Sequence, residues 1–320
     1  MTAEPSAALG QAAIVAGRAP SLHNSQPWHW TVGKDSLELR LDPRRVLRAT
    51  DPQARLAILS CGAALHHARL QLAADGWSAD VIRTPGDPLL LARLQLRGRT
   101  STDNEAARLL RQIPRRHTDR RGHPGAPIDL HRVQSICRAV RGEGADLTKL
   151  LPRQLFVLAE AAEKAQEVEA ADPEWQVEVA AWVGGDRPSR TGVPATALPA
   201  DPYLLTAPVR TLRGAGTVLI EQSYQHSAVF AVLHTVDDDG VDWLRAGEAL
   251  SAGWLTATAL DVAVLPLSVV TEVAGSRDRI SGLLNWSGYP HLVLRLAMEM
   301  AGEVPPATPR LRPIEFITYA

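Results

Sequence analysis

The sequence predicts an α+β fold in which two related halves are joined into one intertwined unit. The first observation is an internal repeat. At a constant offset of 185, Gly62, Ala64, Leu65, Leu70 and Ala74 face Gly247, Ala249, Leu250, Leu255 and Ala259. The second is the order around the repeat. Each copy, "CGAALHHARLQLAADGWSADVI" and "AGEALSAGWLTATALDVAVLPL", reads as a long helix with small residues on one face, then a turn, then a strand-like run. The third is the strand that follows each copy, "LLLARLQLRG" over 89–98 and "PHLVLRLAM" over 290–298. Small residues let another helix approach closely, so the two long helices are expected at the centre, packed on each other. The halves are set at residues 1–100 and 101–320, a length that one large core or two modest ones can absorb.

In chain order, a helix over 8–17 comes first. A hairpin over 28–42 follows, with turn chemistry at Gly33–Ser36. Asp51 is read as the N-cap of the long helix, with Pro52 at its first position. A helix over 104–113 opens the second half, and the basic run "PRRHTDRR" comes next. The segment "QLFVLAE" over 154–160 is read as a strand, and 161–183 as helical. A Gly/Pro-rich connection over 184–216 is long for a compact domain, and such loops are disordered segments or active-site lids.

Composition narrows the class. Lys+Arg 34 against Asp+Glu 35 leaves a formal net charge of -1, which gives no reason to expect nucleic acid or a membrane as the main partner. The apolar run 251–270 carries Asp261 and Pro266, so it fits a buried helix and strand better than a membrane span. Cys61 and Cys137 lie far apart in apolar helical patterns, as inert buried thiols do. The N-terminus lacks the regions of a signal peptide, and a cytoplasmic protein is expected. His66-His67 and His23/His29 lack zinc spacing with acidic partners. No phosphate-binding glycine loop follows a strand, and no nucleophile elbow is present.

Three stretches remain that can carry chemistry. In "APSLHNSQPWHW", residues 19–30, Asn24 and Gln26 offer amides that donate and accept at once, as a heteroaromatic ring rimmed by carbonyls and nitrogens requires. The same stretch also reads as a loop that caps a helix. In "RRHTDRR", alternation sets Arg116, Thr118 and Arg120 on one side of an extended segment. Two guanidinium forks and a hydroxyl there make a phosphate grip, or the run is a solvated basic loop. In "TPRLRPIEF", Arg310 and Arg312 stand between prolines on a C-terminal arm.

Together these stretches resemble the nitroreductase-like flavoproteins, and within them the Acg family. The likeness covers most of the chain and is weakest through 140–230. It implies a nitroreductase-like fold, here a fused pseudo-dimer, and FMN as cofactor. Pro20, Ser21, Leu22 and Asn24 match the family's loop beside the flavin ring. Arg116, Thr118 and Arg120 match the segment that contacts the phosphate and the ring. Backbone near Ser268 and Val269 matches the place where the family donates an N–H to the flavin, although a glycine is common where Val269 stands. Gly122 replaces a common aromatic. The arm matches a phosphate contact without deciding between Arg310 and Arg312. One complete flavin site per chain, with a single chain sufficient to form it, and a degenerate second site are therefore expected.

Two functions follow from the resemblance. One is an NAD(P)H-dependent reductase acting on a nitroaromatic or quinone-like acceptor. The other is an FMN-sequestering protein whose segment 184–216 lids the flavin, with Tyr203, Leu204 and Leu205 as the cover. A third reading, a decayed site on an interaction partner, rests on Val269 and Gly122 alone.

Overall fold

A computed structural model of the chain describes residues 4–83, 87, 89–120, 126–185, 187, 190–198, 228–299 and 306–320. Among the described residues the chain runs through two sheets joined by a pair of long crossing helices. The first half contains α1 (Pro5–Ala16), β1 (Trp28–Val32), β2 (Ser36–Leu41), α2 (Arg55–Ala74), β3 (Trp77–Arg83) and β4 (Leu90–Arg99). After α3 (Asn104–Leu110), the second half repeats that order. It contains α4 (Leu130–Gly142), β5 (Asp146–Lys149), β6 (Ala228–Thr235), α7 (Gly240–Ala259), β7 (Val262–Leu267) and β8 (Tyr289–Met298). Between β5 and β6 lie α5 (Gln154–Ala171) and α6 (Pro173–Trp182), and between β7 and β8 lie α8 (Val269–Glu272) and α9 (Ala274–Leu283).

The sheets repeat as well. One has strand order β3-β4-β2-β1-β9, the other β7-β8-β6-β5 when traced from the corresponding edge, and β9 (Ile317–Tyr319) is the addition. That last strand returns to the first half and pairs parallel with β1, Trp30 opposite Ile317. Trp28 and Trp30 point from β1 into the core with no exposure. Burying an aromatic of this size contributes about 3 kcal/mol, enough to fix which face of the hairpin turns inward.

The helices α2 and α7 meet at glycines. A Cβ on Gly62 would overlap the Leu244 carbonyl oxygen, and one on Gly247 would overlap that of Leu59. Leu59 and Gly62 stand 185 positions before Leu244 and Gly247, so the contact is reciprocal about the crossing. His66 Nδ1 and Ser251 Oγ, also 185 apart, lie 2.8 Å from each other across the same seam.

Two local expectations are corrected. Segment 154–160 is the start of α5, because Leu155, Leu158, Ala162 and Ala165 recur at helical spacing and bury one face. The helix read as beginning at Pro52 begins at Arg55, preceded by Ala54 in the left-handed region at φ 58°. The Asp51 carboxylate still holds that end, accepting from the Ala57 N–H at 2.8 Å. Segment 251–270 is buried helix, strand and the first residues of α8, and no helix among the described residues is long and apolar enough to cross a membrane.

Candidate functional site

A cavity of about 700 Å³ opens at one end of the α2–α7 seam. Its walls come from both halves: Leu56, Leu59 and Ser60 of α2, Leu250 and Trp254 of α7, Leu265 and Pro266 near the end of β7, and Ser268 just after it. The loop after α1, the basic segment after α3 and the arm before β9 close the rest. Of the residues singled out from sequence, Pro20, Ser21, Leu22, Asn24, Arg116, Thr118, Arg120, Ser268, Arg310 and Arg312 all line this space. Val269 is 5% exposed and packs into the core beneath it.

The loop over 20–26 is held in a costly shape. His23, Asn24 and Gln26 have φ of 43°, 56° and 52°. Non-glycine residues there cost roughly 1 kcal/mol each, so something must hold them. The amides do. Asn24 Nδ2 donates to the Gly192 carbonyl at 3.0 Å and to that of Pro309 at 2.9 Å. Gln26, with no exposure, donates to the Arg190 carbonyl at 2.8 Å and accepts from the Leu311 N–H at 3.0 Å. Both side chains are therefore turned toward protein backbone and tie the loop to the strap 190–198 and to the arm. Gln26 is absent from the cavity wall.

The segment after α3 is extended, as alternation required. Thr118 bridges Val264 of β7, and the Asp119 N–H donates to the Val264 carbonyl at 3.1 Å. That pairing turns Arg116, Thr118 and Arg120 toward the cavity. Arg116 lies over the Trp254 ring, 4.6 Å from its centroid, and has no ion-pair partner among the described residues. Its Nε and that of Arg120 are buried without a hydrogen-bond acceptor. Burial first, then the neighbouring Arg310 charge, pulls the Arg116 guanidinium down to about 9. Arg310 is pulled to about 10 by burial and by Arg18. Its Nη1 is held by Asn24 Oδ1 at 2.7 Å and Thr308 Oγ1 at 2.6 Å. Two half-buried cations beside each other, with no carboxylate between them among the described residues, form an anion-binding corner. Arg312 differs: its side chain is 63% exposed and pairs with Glu315 at 3.2 Å.

Trp254 was missed from sequence, because an aromatic inside an apolar helical run reads as core. His23 was also missed. It lines the cavity, and burial followed by the Arg120 charge lowers its imidazole to about 4, which keeps it neutral. The expected lid enters only in part. Arg190, Val193, Ala197 and Leu198 line the cavity, whereas Tyr203, Leu204, Leu205 and Gly122 lie outside the described residues.

The other end of the seam is built differently. The residues 185 positions before Trp254 and Ser268 are Arg69 and Arg83. Both close on Glu248, whose side chain has no exposure, Arg69 at 2.5 Å and Arg83 at 2.8 Å. Charged groups stand there in the places that an aromatic and a hydroxyl group hold at the cavity.

No family model matches the chain. The "Putative NAD(P)H nitroreductase Rv3131" of Mycobacterium tuberculosis is 38% identical over 312 residues, covering 92% of this chain and 87% of its own. The "Putative NAD(P)H nitroreductase acg" of the same organism is 35% identical over 324 residues, covering 97% and 95%. Among solved structures, the FMN-dependent nitroreductase NfnB of Mycobacterium smegmatis, in complex with NADPH, aligns with 64% of this chain and 95% of its own. Its identity is 12% and its TM-score 0.39. A Bacteroides fragilis nitroreductase with bound FMN aligns over 62% and 92%, at 12% identity and TM-score 0.39.

Proposed function

The chain belongs to the nitroreductase family of its mycobacterial relatives, and on that premise we propose that it is an FMN-binding oxidoreductase. It takes electrons from NADH or NADPH and reduces an electron-poor acceptor, a nitroaromatic or a quinone. The observation that carries the reading is the corner formed by Arg116 and Arg310, two half-buried cations on the cavity wall with no carboxylate between them among the described residues. A terminal phosphate of a long, flat ligand fits that corner, because guanidinium groups pair bidentately with phosphate oxygens. The cavity volume, about 700 Å³, is in the range of cofactor sites, and its lining sets apolar walls beside a strongly basic, polar side.

The residues divide the work. Arg116 and Arg310 hold the phosphate, and Arg310 rather than Arg312 is assigned because Arg312 is exposed and paired with Glu315. Arg120 and Thr118 face the polar edge of the ring. Pro20, Ser21 and Leu22 wall one side, and Asn24 orients Arg310. Backbone at Ser268, at the rim, is assigned to the ring's reactive edge in preference to Val269. FMN, when bound, supplies the two-electron chemistry that no side chain here can perform. The protein fixes its position and charge environment and keeps one face accessible.

The same reading treats the chain as a fused pseudo-dimer, with halves 1–100 and 101–320 and one site per chain at the seam. The repeated element order and the reciprocal glycine contacts support it, and the Glu248 ion pairs, where the corresponding positions differ in chemistry, support a degenerate second site. A single chain then suffices for binding. Two unpaired cysteines agree with a cytoplasmic location. The sequestering alternative has no observation of its own in its favour.

The test is anaerobic. FMN per chain is counted from absorbance, and NADPH or NADH is then added while the visible flavin band is followed. One FMN per chain that bleaches on addition is the expected result. FMN that bleaches only with dithionite would overturn turnover in favour of sequestration, and no bound FMN would overturn both.

A further inference from the structure

Behind the cavity wall at Ser268 lies a pair of carboxyls that the assigned binding roles do not use. Glu169 projects from α5 and is 4% exposed, and Glu272 ends α8. All four of their carboxylate oxygens are buried. The two groups meet where α5 packs on α8, closely enough to couple. Burial is the main cause that raises both, Glu169 to about 10 and Glu272 to about 7. Two carboxyls side by side away from water cannot both ionise readily, so the pair retains a proton at neutral pH.

Other charges face the pair. Asp51, before α2, raises Glu272 further, and Arg55, on α2, opposes it. Arg55 donates to the Thr271 carbonyl from one nitrogen, while its Nη1 is buried without a partner. Arg277 and Asp238 act on Arg55 from beyond, and His291 is held neutral by its own burial. Among the described residues Arg55 is thus the cation next to the acids, enough to moderate Glu272 and insufficient to ionise both. Toward the cavity, Glu272 stands one helical turn after Ser268, and its carboxyl abuts the Ser268 side chain. Ser268 lines the cavity. A hydroxyl can accept one proton while donating another.

We propose that Glu272, backed by Glu169, supplies a proton through the Ser268 hydroxyl to the acceptor being reduced in the cavity. The inference rests on the reductase reading above. NAD(P)H gives up two electrons and one proton as hydride. A quinone needs two electrons and two protons to become a hydroquinone, and a nitro group needs the same to become nitroso plus water. One proton must come from another source. In the step, the Ser268 O–H bond breaks as a new O–H bond forms on the acceptor oxygen, and the Glu272 proton replaces the one that Ser268 gave. Glu169 then reprotonates Glu272, and solvent restores the pair.

Two measurements test it. The first is the infrared carbonyl band of protonated carboxylic acid, recorded at pH 7 on the full chain without NAD(P)H or acceptor. The band is expected in the wild type and is lost or shifted in Glu169→Gln. A wild type without it, or a variant that leaves it unchanged, overturns the shared proton. The second is the pH profile of quinone reduction by the FMN-loaded protein. The wild-type rate declines as pH rises above about 7. Glu272→Gln lowers the rate at pH 7 about 100-fold and flattens that decline, and Glu272→Asp recovers most of the loss. A slower Glu272→Gln that keeps the wild-type profile has a structural role only and overturns the proposal. A wild type that is not reduced by NAD(P)H overturns the reductase reading and this inference with it. Normal reduction with an unaltered Glu272→Gln overturns this inference alone.

Discussion

Gly62 and Gly247 press on each other where α2 crosses α7: a Cβ on Gly62 would sit 3.0 Å from the Gly247 Cα and overlap the Leu244 carbonyl. Neither backbone can move without opening the seam that walls the cavity. Gly62→Ala and Gly247→Ala should each destabilise the protein by about 3 kcal/mol, and by similar amounts because the contact is reciprocal. Urea unfolding followed by tryptophan fluorescence measures this. A loss under about 0.5 kcal/mol in either variant would mean that the crossing relaxes easily.

Arg116→Ala should weaken FMN binding by roughly 10- to 150-fold, the worth of a charge-assisted grip of about 1.5–3 kcal/mol. Arg116→Lys should recover only part, since it keeps the charge but loses the planar fork over Trp254. Titration of FMN fluorescence decides it. Unchanged affinity in the alanine variant would remove the phosphate from this corner.

Much of the cavity's lining was legible in the sequence. The repeat at offset 185 located both central helices, and the alternation of Arg116, Thr118 and Arg120 held because Thr118 bridges β7. The misreadings have physical causes. "QLFVLAE" has a continuous apolar run that hides its helical spacing, which shows only when Ala162 and Ala165 are added. Asn24 and Gln26 drew notice as amides for a ligand, yet their partners, Gly192, Arg190, Pro309 and Leu311, lie more than 160 positions away. No local pattern announces such bonds. Trp254 was hidden for the opposite reason, because an apolar helix is expected to contain it.

Asn24→Ala should release two ends of the site at once, since the amide bonds Gly192, Pro309 and Arg310. The Gly192 N–H, which donates to the Asn24 carbonyl at 3.3 Å, should exchange with deuterium about tenfold faster, and FMN affinity should fall about tenfold. Hydrogen–deuterium exchange resolved to the strap 190–198 checks it. Unchanged protection there would show that Gln26 alone holds the strap.

Glu169→Gln should stabilise the protein at alkaline pH. In the folded state burial raises Glu169 to about 10, so folding takes up a proton wherever the unfolded chain is ionised. Stability therefore falls as pH rises from about 4.5 toward about 10, and glutamine removes that slope. The expected gain is on the order of 5 kcal/mol at pH 8, vanishing near pH 4. Melting temperatures across that range measure it, and parallel curves for the two proteins would contradict a neutral buried Glu169.

The parallel pairing of Ile317 with Trp30 and the crossing of Gly62 with Gly247 have a kinetic consequence. Hairpins such as β1–β2 and β3–β4 close short loops and can assemble in microseconds, whereas these two contacts must bring together segments separated by most of the chain. Refolding should thus pass through a stage with the antiparallel strands of both sheets formed, β9 unpaired and no cavity. Ligand affinity appears last, in the slowest phase, and tracks the seam rather than either half.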